Sequence, residues 1–175
     1  GWYQGSDALD AEISEKFAGT LQEARAGALG LWLTSAKGTL AYLILTDQFT
    51  RNMFRDNAEA FAFDGMARAA AKMAIEKDWD MKIPEPERQF FYLPLMHSEN
   101  LIDQDRCVRL MCERLPDGRD NLRHARAHRA VIRQFGRFPY RNSALSRPST
   151  AAEKDWMASG GYRVALEAVD AAAPA

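Results

Sequence analysis

No apolar run in this 175-residue chain reaches the roughly 18 residues a helix needs to cross a bilayer, and no charged-then-apolar leader opens it. A cytoplasmic home with no membrane partner is therefore expected. Cysteine is scarce. Cys107 and Cys112, five apart in a helical pattern, suit neither a disulfide framework nor a metal knuckle, so both are expected as reduced core residues. Net charge is nearly absent, with 23 Lys+Arg against 24 Asp+Glu, which argues against a dedicated nucleic-acid or membrane-surface binder. Also missing is any useful stretch of alternating apolar and polar residues, so no strand is expected.

What is present is helical periodicity and enough apolar material, 47% of residues, to fill one sizeable core. The expectation is a single all-α domain over residues 1–175, six or seven helices paired through short loops. The run Leu40 to Asn52 is its centre: apolar on all sides from Leu40 to Leu45, hence predicted to be buried, then polar, with Asp47 and Arg51 one turn apart and able to pair. Before it, Ser6 or Asp7 caps a helix to about Ala24 with Leu9, Ile13, Phe17 and Leu21 on one face. After it, Asn57 caps a third helix whose predicted core face holds Phe61, Met66, Ala69, Ala70, Met73 and Ala74, with Asp78 at its end.

Pro84 and Pro86 suit a helix start and Pro94 interrupts that segment, predicting a short or broken helix that ends near His97. A fifth helix begins at Ser98 or Asn100 and stops at Pro116-Asp117-Gly118; a sixth runs from about Asn121 to Phe135 and ends at Gly136. Residues 137–148 read as an ordered loop, and Ser149 or Thr150 with Glu153 as the capping box of a last helix to about Ser159. The alanine-rich tail after Val169 is expected to fray.

Charge is unevenly spread. Residues 1–118 carry 13 basic and 19 acidic residues, whereas 119–147 hold eight arginines against Asp120 alone. Arg126, Arg129, Arg133 and Arg137 recur every three or four residues along the sixth helix, a stripe able to pair internally or to hold an anion or acidic peptide; nucleic acid would want more interleaved aromatics. His124 and His128 have the i,i+4 spacing that can hold zinc, but no third ligand stands nearby in sequence, and no metal or other cofactor is assigned. His97 with Glu99 is the candidate acid–base pair, provided Pro94 breaks the helix there.

The stretches Leu45-Thr46-Asp47-Gln48-Phe49-Thr50-Arg51-Asn52, Phe91-Tyr92-Leu93-Pro94-Leu95-Met96-His97-Ser98-Glu99 and Phe135-Gly136-Arg137-Phe138-Pro139-Tyr140-Arg141-Asn142 resemble, in that order, the bacterial domain-of-unknown-function 924 family. The resemblance spans Trp2 to about Trp156 and implies a tetratricopeptide-like all-α fold and no particular activity. Family members usually have proline at Thr50, glutamate at Met96 and histidine at Tyr140. They also tend to begin with a further helix, which fits a chain opening on Gly-Trp-Tyr without Met.

The favoured reading is a binding module whose polar groove, lined by Asp47, Arg51, Asn52, His97, His128, Arg137, Arg141 and Asn142, takes an acidic peptide or small anion. The alternatives are a hydrolase using His97 and Glu99, and a structural domain for a protein partner or homo-oligomer.

Overall fold

The computed structural model describes residues 7–172 and falls into two compact units, Gly1–Ile83 and Pro84–Ala175. The expected cap at Ser6 and the resemblance at Trp2 lie outside the described residues. Every regular element among those residues is helical, with no strand, so the protein is all-α. Helices joined by short turns are compatible with a tetratricopeptide-like arrangement.

In the first unit, α1 (Asp7–Arg25) buries Ile13, Leu21 and Ala24, and Phe17 packs at 4.7 Å against Phe49, while Leu9 is exposed. Ser35 caps α2 (Ala36–Leu43) by accepting from the Gly38 amide. Gly38 is needed there because an added Cβ would lie 2.3 Å from the Trp32 carbonyl oxygen. From Ile44 to Phe49 the helix widens into one π-type turn before α3 (Thr50–Met53). Burial of this central run is less complete than its composition predicts. Tyr42, Leu43 and Leu45 are inside, Leu40 and Ile44 only partly so, and Ala41 meets solvent.

Asn57 does cap a helical turn, accepting from Glu59, but the turn is 3₁₀ (Ala58–Phe61); the regular helix α4 spans Asp64–Glu76. That later start shifts the buried face. Ala67, Ala70, Ala71 and Ala74 are inside, whereas Met66 and Ala69, expected in the core, are exposed. Alanines let α4 pack closely on α2.

The second unit opens with a 3₁₀ turn (Glu87–Phe91) and the short α5 (Leu93–Met96), with Pro94 in its first turn, where a missing amide proton costs nothing. Asn100 caps α6 (Leu101–Arg114), and a turn at 115–118 leads to α7 (Arg119–Phe135), which packs against it. Gly136, at φ 71°, ends α7 in the left-handed conformation that glycine adopts without penalty. Thr150 and Glu153 form a complete capping box on α8 (Ala151–Ala158).

Two features of this unit differ from expectation. The helix to about Ser159 is not the last: the chain turns back at Gly160-Gly161 into α9 (Tyr162–Ala171), which lays Tyr162, Ala165, Leu166 and Val169 on the core of Ala127, Val131, Ile132, Phe138 and Trp156. Residues 173–175 of the expected frayed tail lie outside the described residues. An alanine-rich helix with few large residues gives little sequence signal, yet packing holds it. The cysteines also part: Cys107 is buried while Cys112 is exposed, since five residues on a helix separate side chains by roughly 140°.

Candidate functional site

In the first unit the polar residues after the apolar run close on one another. The Asp47 side chain is buried and its Oδ1 lies 3.2 Å from Arg51 Nη1. Arg51 reaches Asp64 at 3.1 Å and donates to the Asp47 carbonyl at 2.6 Å, so the expected pair is part of a three-residue network. Asn52 donates to Asp10 at 2.8 Å, and the same carboxylate binds Arg55. Arg55 and Asn52 hold the Asp10 carboxyl below its usual range.

In the second unit the loop between α7 and α8 is tied at both ends. Arg137 donates through Nε and Nη2 to the two oxygens of Glu153, at 2.6 and 2.8 Å, and Asn142 adds a bond at 3.2 Å. Arg137 beside it, reinforced by the Thr150 amide, pushes the Glu153 carboxyl down to about 2. Glu99 receives two bonds from Arg147, at 2.7 and 2.9 Å, and one from the Phe138 amide at 2.8 Å. Burial pushes the Glu99 carboxyl up, but Arg147 and the Phe138 amide outweigh it and leave it below the usual carboxylate range. Both of its oxygens therefore anchor the loop. Arg147 also bonds Asn142, linking the two clamps.

What the clamps present is an aromatic and cationic cluster. The 3₁₀ turn Pro139–Arg141 places Arg141 with its guanidinium carbon 4.5 Å from the Phe138 ring centre, and the Arg141 side chain is buried. Phe138 meets His128 edge-on at 5.4 Å, and His97, at the end of α5, stands edge-on to His128 at 6.2 Å. Tyr162 from α9 packs on His128 at 4.8 Å and His124 at 5.9 Å, and the ring of the exposed Tyr140 closes the group at 6.1 Å from Tyr162.

Hydrogen bonds assign the imidazoles. His128 Nδ1 lies 2.9 Å from the His124 carbonyl oxygen, which can only accept, so that nitrogen carries the proton and Nε2 is left with its lone pair. The Tyr162 hydroxyl bridges the Nδ1 atoms of His124, at 2.8 Å, and His128, at 3.0 Å. His128 is held neutral, its pKa lowered from 6.5 to about 3, first by burial and then by the charges of His97, Arg141 and His124. The i,i+4 histidines thus share a tyrosine rather than a third ligand, and among the described residues no three His, Cys, Asp or Glu side chains gather as a metal site.

Of the residues expected at a site, the second unit brings His97, His128 and Arg141 together and sets Arg137 and Asn142 in the frame that holds the loop. Asp47, Arg51 and Asn52 belong to the first unit's own network. Tyr162, Tyr140 and Phe138 were not singled out as site residues from sequence. Aromatic residues in a loop are a weak signal, and Tyr162 reaches the cluster only through the unforeseen α9. The arginine stripe divides three ways: Arg129 and Arg133 share Asp105, at 3.4 and 3.2 Å, Arg137 pairs with Glu153, and Arg126 is exposed.

These features define an all-α protein of short paired helices with a histidine–arginine cluster under a clamped loop. A search of curated proteins finds no match. The family model for bacterial proteins of unknown function (DUF924) matches residues 1–161, and the chain belongs to this family. It is similar to the solved structure of a protein of unknown function, ATU0120, from Agrobacterium tumefaciens: 37% identical, covering 91% of this chain and 89% of that one, with a TM-score of 0.86. None of the described helices is long and apolar enough to cross a membrane.

Proposed function

We propose that the chain is a binding module for a small anion, a carboxylate or phosphate, held by His97, His128 and Arg141 against the Phe138, Tyr140 and Tyr162 rings. The observation that carries this reading is the convergence of three nitrogen-bearing side chains of one charge tendency on a partly open aromatic wall. Two of the stretches that carry the resemblance to the family supply part of it: His97 comes from one, Phe138 and Arg141 from the other, which also holds Tyr140 where family members usually have histidine. Glu99 positions the loop through Arg147 and the Phe138 amide.

An anion seated beside His128 offsets the charges of His97, Arg141 and His124 and so raises the imidazole from its lowered value, while burial continues to hold it down. The other ionisable groups nearby are His97, His124, Arg141 and Tyr162, with Asp120 3.7 Å from His124 and Glu99 acting on Arg141. Binding should therefore take up a proton and tighten as pH falls below about 6.5 toward the lowered value of about 3.

The test is thermal stability with inorganic phosphate and a series of mono- and dicarboxylates. A ligand at a hundred times its dissociation constant adds about 2.7 kcal/mol to stability. The expected result is a selective upward shift, larger at the lower pH, that Arg141→Lys and His128→Gln each reduce. No shift with any anion, or a shift that persists in both variants, refutes the reading.

A further inference from the structure

A second feature of the same unit lies along the opposite side of α7. Between α7 and α9 runs an open groove of about 520 Å³, with Arg126, Arg129 and Arg133 on one wall and Ala165, Ala168 and Val169 on the other. Its volume falls in the range of sites that hold ligands of several side chains' size, roughly 300–1,000 Å³. Charge in it is unbalanced. Asp105 serves both Arg129 and Arg133, and Arg126 faces solvent, so three guanidinium groups meet one carboxylate. Beyond the groove, Asp170 of α9 is occupied by a two-pronged bond from Arg123, at 2.6 and 2.8 Å, and so does not offset the arginines inside. The opposite wall is built of small side chains, which let a second backbone approach closely. That wall belongs to residues 162–171, past the stretch 1–161 that the family match covers.

We infer that this groove is a docking site for an acidic amphipathic helix of a partner protein. A helix laid along it would set an apolar seam on Ala165, Ala168 and Val169, and aspartates or glutamates three or four residues apart on one edge against Arg126, Arg129 and Arg133. Helical spacing matches on both sides: Arg126, Arg129 and Arg133 rise one turn at a time along α7, and the carboxylates of a docked helix repeat with the same period. The arginine fork accepts a carboxylate two-pronged, which adds register to attraction.

The experiment is a selection of helical 20-residue peptides displayed on phage against the intact protein, followed by fluorescence anisotropy of the winners. Recovered peptides should carry Asp or Glu at three- and four-residue intervals beside an apolar seam, and their affinity should fall with ionic strength. The double change Arg126→Glu with Arg133→Glu should weaken binding by at least about tenfold while circular dichroism is unchanged. Ala168→Trp, which fills the groove without altering charge, should weaken it comparably, and a peptide with lysines in place of its carboxylates should bind the charge-reversed protein instead.

Recovery of peptides without acidic residues, or binding indifferent to the charge reversal, overturns the proposal. Loss of binding in the charge variant but not in Ala168→Trp reduces it to diffuse attraction and overturns the groove. Concentration-dependent self-association that the same substitutions abolish would make the occupant a second copy of this chain and overturn the partner.

Discussion

Arg51 in the first unit stands between two carboxylates, Asp47 and Asp64, whereas His128 in the second is surrounded by His97, His124 and Arg141. Both positions lie on helices and both side chains are largely shielded from water. In the first, opposite charges brought close together recover the cost of leaving water. In the second, like charges and burial act in the same direction, and the imidazole responds by staying neutral. The difference teaches where to look for a ligand. A network of opposite charges holds itself together, while a cluster weighted toward positive charge draws an anion toward it.

The largest expected effect breaks the balanced side of that contrast. Asp47→Ala leaves Arg51 with one buried partner fewer and should cost about 3–5 kcal/mol in urea denaturation. A cost below about 1 kcal/mol would show that Arg51 reaches water and that the network is not closed.

Next comes the unbalanced side, read through pH. His128 has a folded pKa depressed from 6.5 to about 3, so between those values the unfolded chain binds more protons than the folded one. Stability supplied by the neutral imidazole is therefore complete above about pH 6.5 and is lost as pH falls toward 3, by up to roughly 4 kcal/mol. His128→Phe should flatten that part of the stability–pH profile. An unchanged profile would mean that some other group titrates.

A smaller effect tests the frame around the cluster. Thr150→Ala removes one half of the capping box and should cost about 1 kcal/mol, measured as a lowered melting temperature. Arg137→Ala should lower the melting temperature too, because Glu153 is buried with Arg137 as its charged partner; equal stability would free Arg137 for a direct role at a ligand. Smallest of all, Arg126→Ala should change stability by less than about 0.5 kcal/mol, since this exposed side chain belongs to the groove rather than to the fold. A larger loss would make it structural.

Much of the helical frame was legible. Asn100 and Thr150 cap the helices their side chains suggest, the segment around Pro94 is broken into a 3₁₀ turn and the short α5 with Pro94 in its first turn, and Gly136 ends α7 because only glycine takes the left-handed conformation cheaply. The Asp47–Arg51 pair followed from i,i+4 spacing alone. The start of α4 did not, because Asn57 caps equally well the 3₁₀ turn that precedes it; the buried face keeps the expected Ala70 and Ala74 but takes Ala67 and Ala71 in place of Met66 and Ala69. The helix α9 was missed because its hold on the core comes from distant residues such as Val131 and Trp156.

The candidate site divides in the same way. Residue types alone named His97, His128, Arg137, Arg141 and Asn142 as polar candidates. Which of them meet could not, since 44 positions separate His97 from Arg141 and only packing decides that distance. Sequence by itself determined the all-α class, the caps and breaks, and the local ion pair, because each depends on interactions within one or two helical turns. The tertiary structure alone decided that Glu99 and Glu153 serve the loop, that Tyr162 bridges two histidines, and that α9 gives the arginine stripe an opposite wall. Those outcomes rest on contacts between residues far apart in the chain, where burial and neighbouring charge rather than local propensity set each group's state.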